Sequence, residues 1–326
     1  SLADRLMAEG QAEEAEAQLR EAAEALQTPE AWFALANLRR QAEEPELARD
    51  AVERALELAP GDPEELRFVL ADLLAELGEL EEAERLAGEL TEPAYRDIVR
   101  GRILLERGEP AEALEALGSG IQAWPNNAAA RLLAAEAALD LGDTERSMIE
   151  LREATRLSAE DNNAALLLGR LYLARGDADS ATTLLRRHVD AQGVTGAEAH
   201  LLLASAEAQR GRLDRARKWL EELREQEAFE GRAVAELARL ELRASGARAA
   251  IQILEESGLD LTDPRHEPAA RQWIALLLAA GEVERARAWA AEVAESDAPA
   301  LQALRGDLLL ELGEEVAART VFVASL

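Results

Sequence analysis

The chain has 326 residues, a net charge of -29 and a pI near 4.5, with Ala, Leu, Glu and Arg dominant. Such acidity disfavours nucleic acid and anionic membranes as general partners, because both recruit basic faces; it favours solubility or a basic partner. There is no cysteine, which excludes structural disulfides, Cys-x-x-Cys zinc sites and thiol catalysis, and no apolar run approaches the ~18–20 residues needed to span a membrane.

The dominant residues are good helix formers, while strand-favouring types are scarce, so composition points to an all-α protein. Taken in chain order, a Gly followed five residues later by Ala recurs along the sequence. Gly10–Ala15, Gly78–Ala83, Gly108–Ala113, Gly176–Ala181, Gly211–Ala216, Gly281–Ala286 and Gly313–Ala318 fit, Gly142–Ser147 has Ser for Ala, and Ser245–Ala250 has Ser for Gly. Glu43 holds the place before Ala48, and successive marks stand 30 to 36 residues apart. A fixed period of this length is the signature of a stacked repeat array.

The spacing and the residues at each place resemble the tetratricopeptide repeat (TPR) family, whose unit is a 34-residue helix–turn–helix. The stretch 29–62 supplies Trp32, Leu35, Ala36, Ala48, Ala55 and Pro60; 94–127 supplies Gly101, Leu104, Gly108, Ala113, Leu117 and Pro125; 162–195 supplies Leu168, Gly169, Tyr172, Gly176, Ala181 and Leu185. The resemblance implies one α-solenoid over 1–326, its stacked units forming a superhelix. The units are a partial one at 1–28, then 29–62, 63–93, 94–127, 128–161, 162–196, 197–230, 231–266 and 267–298, and an incomplete one at 299–326. Small residues on first helices (Ala36, Gly101, Ala135, Gly169, Ala204, Gly306) let the second helix approach closely. The glycine ending each first helix takes the left-handed turn, and Leu35, Leu56, Leu70, Leu117, Leu151 and Leu185 fill the seams.

Charge is uneven. Residues 1–100 carry 26 acids against 10 bases, whereas 151–250 carry 16 of each. The basic run Arg210, Arg212, Arg215, Arg217 and Lys218 is expected to scatter over more than one helix face. Ser257–Pro268 and Asp190–Gly196 are longer, turn-rich joints, each either a hinge with looser stacking or a surface turn. The chain opens at Ser1 and stops in an apolar second helix, so the parent protein is expected to continue beyond Leu326.

No catalytic constellation is visible. His188, His200 and His266 stand in different units without metal-ligand spacing, and the glycines follow the repeat rather than a phosphate loop. Paired glutamates such as Glu64–Glu65 and Glu221–Glu222 read as solvated faces. Neither enzyme activity nor any cofactor or metal is expected.

In the family, positions two, five, nine and twelve of each unit line an inner groove of first helices. Carried over, position five gives Phe33, Phe68, Ile98, Leu132, Leu166 and Leu201, then Ala235 and Arg271. Position nine gives Asn37, Asp72, Arg102, Glu136, Arg170, Ser205 and Arg239, and position twelve adds Arg40, Leu105, Leu139 and Leu173. The apolar row suits an apolar peptide or amphipathic helix, unless those side chains bury between neighbouring first helices. Arg102, Arg170 and Arg239 either meet a partner's carboxylates or pair within the chain. The implied function is a scaffold for a protein or peptide partner, with self-association through the open C-terminal end as a further outcome. In style the chain is similar to long bacterial members of the family in exopolysaccharide synthesis and export, which favours the periplasm over the cytoplasm. The alternatives are the recruiting arm of a larger enzyme, such as a glycosyltransferase, and a cytosolic assembly factor.

Overall fold

The computed structural model describes residues 12–42, 44–61, 63–158, 162–192 and 197–324. Among them are nineteen α-helices, two 3-10 turns and no strand. The first ten helices are α1 (Ala12–Leu26), α2 (Pro29–Gln41), α3 (Pro45–Leu58), α4 (Glu64–Glu76), α5 (Leu80–Glu89), α6 (Pro93–Glu106), α7 (Pro110–Ala123), α8 (Ala128–Asp140), α9 (Thr144–Leu157) and α10 (Asn162–Ala174). They are followed by α11 (Ala178–Gln192), α12 (Ala197–Gln209), α13 (Leu213–Arg224), α14 (Glu230–Ser245), α15 (Ala247–Glu256), α16 (Glu267–Ala279), α17 (Val283–Glu292), α18 (Pro299–Glu311) and α19 (Glu315–Ala324). The architecture is an all-α TPR-type solenoid of helical hairpins.

Two compact bodies divide the chain. One holds the described residues up to Leu171 with the end of α11 from Arg187; the other holds Tyr172–Arg186 and the described residues from Ala197 onward. In the first body α2 packs on α3, α4 on α5, α6 on α7 and α8 on α9, and α1, α3, α5 and α7 also touch the first helix that follows each. In the second body α12 pairs with α13, α14 with α15, α16 with α17 and α18 with α19. First helices also meet one another directly, α4 with α6 and α6 with α8 in one body, α14 with α16 and α16 with α18 in the other.

Local chemistry fixes where helices begin and end. Pro29, Pro45, Pro93, Pro110 and Pro299 open helices, where the missing N–H costs no hydrogen bond. Thr28 and Asn127 cap α2 and α8, accepting from the N–H of Ala31 at 3.3 Å and of Ala130 at 2.9 Å. The first-helix ends are more uniform. Gly78, Gly108, Gly142, Gly176, Gly211, Gly281 and Gly313 all have φ between 72 and 78°, a region where a Cβ is strained. The amide after each reaches the carbonyl five residues back, as Glu109 N–H donates to Leu104 O at 2.8 Å, which closes a Schellman turn. In the unit read with Ser245 at this place, Gly246 makes the turn one residue later, at φ 93°. Gly10 and Glu43 lie outside the described residues.

Leu35, Leu117, Leu151 and Leu185 are fully buried and Leu56 and Leu70 half-buried. The small residues face second helices: a Cβ on Gly101 would overlap Leu117, and one on Gly306 would overlap Phe322. Close approach is therefore what the small residue supplies.

The joint 257–268 is not loosened. One continuous core runs from Val234 and Ala238 through Ile251 and Leu254 to Ala269, Ile274, Trp289 and Leu304, with Leu259 and Leu261 of the joint packed against it. Asp260 accepts from the N–H and hydroxyl of Thr262, the ring of His266 bonds the Asp260 carbonyl at 2.9 Å, and the indole of Trp289 donates to the Leu261 carbonyl at 2.9 Å. A turn-rich sequence thus makes a pinned surface turn, and stacking across it is intact. Trp289→Phe deletes one donor and leaves a carbonyl without its partner. The expected cost is about 1 kcal/mol, with faster amide exchange confined to residues 258–263, read by hydrogen exchange and mass spectrometry. Of the joint Asp190–Gly196, the first three residues end α11 and residues 193–196 lie outside the described residues.

Candidate partner-binding surface

The row of first-helix residues separates by burial. Phe33, Phe68, Leu132, Leu166 and Leu201 are half-buried, whereas Ile98 is only 2% exposed and packs with Leu117, Ile121 and Ala130. Ala235 is buried and Arg271 exposed. Phe33 and Phe68 pack on one core cluster, and Phe68 also reaches the clusters on either side of α6. In the second body Leu201 lies against the clusters built on Leu220 and Leu223. Within the first body the described residues therefore carry partly open apolar side chains on α2, α4, α8 and α10, interrupted on α6 by a core residue.

The polar row behaves differently. Asn37, Glu136, Arg170 and Arg239 are exposed and Ser205 is half-buried. Asp72 and Arg102 are not surface groups. Asp72 is 4% exposed between Ala71 and Leu73, both buried. Its carboxylate accepts from Arg102 through Nε and Nη2 and from Arg40 Nη2 at 3.0 Å. Burial pushes the Asp72 carboxyl up, and the attraction of Arg102 and Arg40 with the Arg102 hydrogen bond more than offsets it, so the net shift is downward. Arg102 thus pairs within the chain, one repeat back. Arg239 does so too, donating to Gln272 at 2.9 Å and pairing with Glu236 at 2.5 Å.

Two other buried carboxylates repeat this arrangement. Glu150 is held by Arg131 at 2.7 Å and Arg146 at 2.8 Å. Glu207, with no exposed surface, lies 3.1 Å from Arg186 and 3.4 Å from Arg210, with Arg212 and Arg215 within 4 Å. The basic run at 210–218 is therefore not wholly scattered. Three of its arginines converge on one carboxylate, while Arg217 pairs with Glu241 and Lys218 with Glu222. The sequence signal for such nodes is an acid at a buried helical position with arginines one turn, one helix or one repeat away.

The three histidines are buried. His200 sets its ring edge-on to Trp219 with centroids 5.8 Å apart, and His266 holds the joint described above. Among the described residues no group of His, Asp or Glu is arranged to hold a metal ion, and no helix is long and apolar enough to cross a membrane.

Comparison with known proteins agrees with this geometry. Family models described as tetratricopeptide repeat match residues 29–73, 65–89, 104–164 and 166–233. No curated protein sequence matches the chain. Among solved structures, the APC/C hetero-tetramer Cut9-Hcn1 is similar over 98% of this chain and 60% of that one, at 16% identity and a TM-score of 0.55. Two structures of MamA, one of them residues 41 to the end from Desulfovibrio magneticus RS-1, are similar over 48% and 51% of this chain. They cover 91% and 93% of their own, with 19% and 20% identity and TM-scores of 0.43 and 0.45. At such identities the likeness to Cut9-Hcn1 shows the fold alone. With hairpins at the family's period, glycine turns at its fixed place and four stretches matched by its models, the chain belongs to the tetratricopeptide repeat family.

Proposed function

We propose that this chain is a non-catalytic scaffold that holds a protein or peptide partner on the surface made by its first helices. One observation carries the reading: Phe33, Phe68, Leu132 and Leu166 recur at one repeat position and, beyond what core packing covers, keep part of their surface open, a regular apolar row that suits a partner able to cover it. Asn37, Glu136 and Arg170, exposed beside that row, would set the register of the partner, and Leu201 and Arg239 hold the same positions in the second body. Arg102 acts from behind, keeping α4 and α6 in place through Asp72. Ile98 serves the core.

The test replaces Leu132 and Leu166 together by Glu. Burying two carboxylates against an apolar partner should weaken capture at least about 100-fold, roughly 2.8 kcal/mol. Proteins retained from the native lysate by the wild-type chain should be absent from the variant while its helical circular dichroism is unchanged. Equal retention by a folded variant overturns the apolar-row reading. The finer proposal, a place in bacterial exopolysaccharide synthesis or export, rests on likeness of style. The natural reading frame tests it: a secretion leader with an anchor or outer-membrane barrel supports it, and a fused catalytic domain replaces it with the recruiting-arm function.

A further inference from the structure

Aromatic residues make up 3% of this chain, yet three of them meet at one place in the first body. Phe68 of α4 stacks on Tyr95 of α6 with ring centroids 4.5 Å apart and planes 18° apart. Trp124, at the end of α7, tilts by about 60° against both, at 6.3 and 5.8 Å. Phe68 and Tyr95 are half-buried, but Trp124 keeps 38% of its surface open. Packing of the repeat accounts for Phe68, which joins three core clusters. It does not account for an indole left open at a helix end.

The surroundings of this cluster are acidic. Glu64 accepts from the amide and hydroxyl of Thr91 and from the Glu92 amide, which fixes the turn before α6. Glu92 caps that helix at Ala94, and Glu65 is exposed. Burial, then the charges of Glu65, Glu92 and Glu64, push the Tyr95 phenol up. Bases near the rings stand beside acceptors: Arg131 holds Glu150 and the Pro125 carbonyl, Arg67 lies 3.9 Å from Glu89, and the exposed Arg96 next to Tyr95 lies 3.8 Å from Asp97. Aromatic faces attract cations, tryptophan most strongly, and carboxylates beside them add a second attraction of the same sign.

We propose that Phe68, Tyr95 and Trp124, with Glu65 and Glu92 at their rim, form a docking point for an arginine or lysine side chain of a basic partner segment. Arginine fits better, since its planar guanidinium stacks on an indole and leaves its edge for carboxylates. This deepens the scaffold reading by naming the partner's chemistry: an apolar segment that also carries a cation. The net charge of -29 would speed the approach of such a segment.

The experiment follows the indole N–H resonances of the 15N-labelled chain, with Trp124 assigned from the Trp124→Phe variant. The probes are an acetylated Gly-Arg-Leu-Arg-Gly peptide and the same peptide with citrulline, a neutral isostere, in place of arginine. The expected result is a saturable shift of Trp124 with the arginine peptide, about fivefold weaker binding of the citrulline peptide, and a similar loss in a Glu65→Gln, Glu92→Gln variant. Equal binding of the two peptides overturns the cation site. An unmoved Trp124 overturns it as well and leaves the trio as internal packing. The Leu132→Glu, Leu166→Glu variant should still show the Trp124 shift, so failure of the apolar row and failure of this site are read separately.

Discussion

Asp72→Asn should cost the first body about 3 kcal/mol, the lower end of what breaking a buried ion pair costs. Asparagine keeps the shape and one acceptor but removes the charge that faces Arg102, whose side chain is 14% exposed, and Arg40, at 29%. Arg102 has little access to water, so it bears most of the loss; Arg40 recovers part of its hydration by turning outward. Glu76 and Glu136 also attract Arg102 and keep the cost from rising further. Asp72 has its folded-state pKa lowered, below an unfolded value of about 3.9. Its contribution is complete above the unfolded value and is lost as pH falls through the folded one. Urea unfolding followed at 222 nm should therefore show a constant gap between wild type and Asp72→Asn from pH 7 to about pH 5, closing below about pH 4. Hydrogen exchange should place the loss in α4 and α6, because an array opens locally rather than as one block. A gap undiminished between about pH 5 and pH 2 would mean that the change acts through packing and not through charge.

Much of the fold was legible because a repeat writes the same physics many times. The glycine turns could be placed to the residue: Gly78, Gly108 and Gly142 stand where the spacing puts them, since a left-handed turn admits few other residues. The seam leucines were readable for the same reason, as Leu117 and Leu151 recur at one position and are fully buried. Side-chain polarity was a poorer guide. Asp72 shares a repeat position with exposed Asn37 and Glu136, and only the arginines of the neighbouring repeats turn it inward. Residue type at one position does not reveal pairing across positions, so Asp72 read as a groove residue, Arg102 stood open between a partner and a pair within the chain, and the convergence of Arg210, Arg212 and Arg215 on Glu207 was missed. Ile98 resembles Leu132 by period, yet Gly120 opposite it leaves a space that Ile98 fills; a Cβ there would overlap it. From its Gly, Asp and Pro content the joint 257–268 reads as either a hinge or a surface turn, and the bond from Trp289 to the Leu261 carbonyl, with the one between His266 and the Asp260 carbonyl inside the joint, decides for the turn.

Two glycines in one hairpin should respond to alanine with opposite signs. Gly118 lies within α7 with nothing within 4 Å of the place a Cβ would take. Gly118→Ala removes the helix-interior penalty of glycine and should stabilise by about 0.5–1 kcal/mol. Gly101 lies within α6, gains the same helical preference, and loses more: its Cβ would overlap Leu117, which has no exposed surface into which to retreat. Overpacking of this kind costs about 1–3 kcal/mol, so Gly101→Ala should destabilise. Leu117→Ala alone opens a cavity at about 2–5 kcal/mol. In the double variant the new Cβ enters that cavity, and the two changes should cost at least about 1 kcal/mol less than their sum, a coupling that contacting residues show. Urea unfolding of the four proteins closes the cycle. If Gly101→Ala stabilises as Gly118→Ala does, the two helices have room to separate and close approach does not set the hairpin's spacing. If the signs oppose and the double variant recovers, the small residue of the first helix fixes how near its partner lies. It then also fixes the distance from one first helix to the next, on which the spacing of Phe68, Leu132 and Leu166 depends.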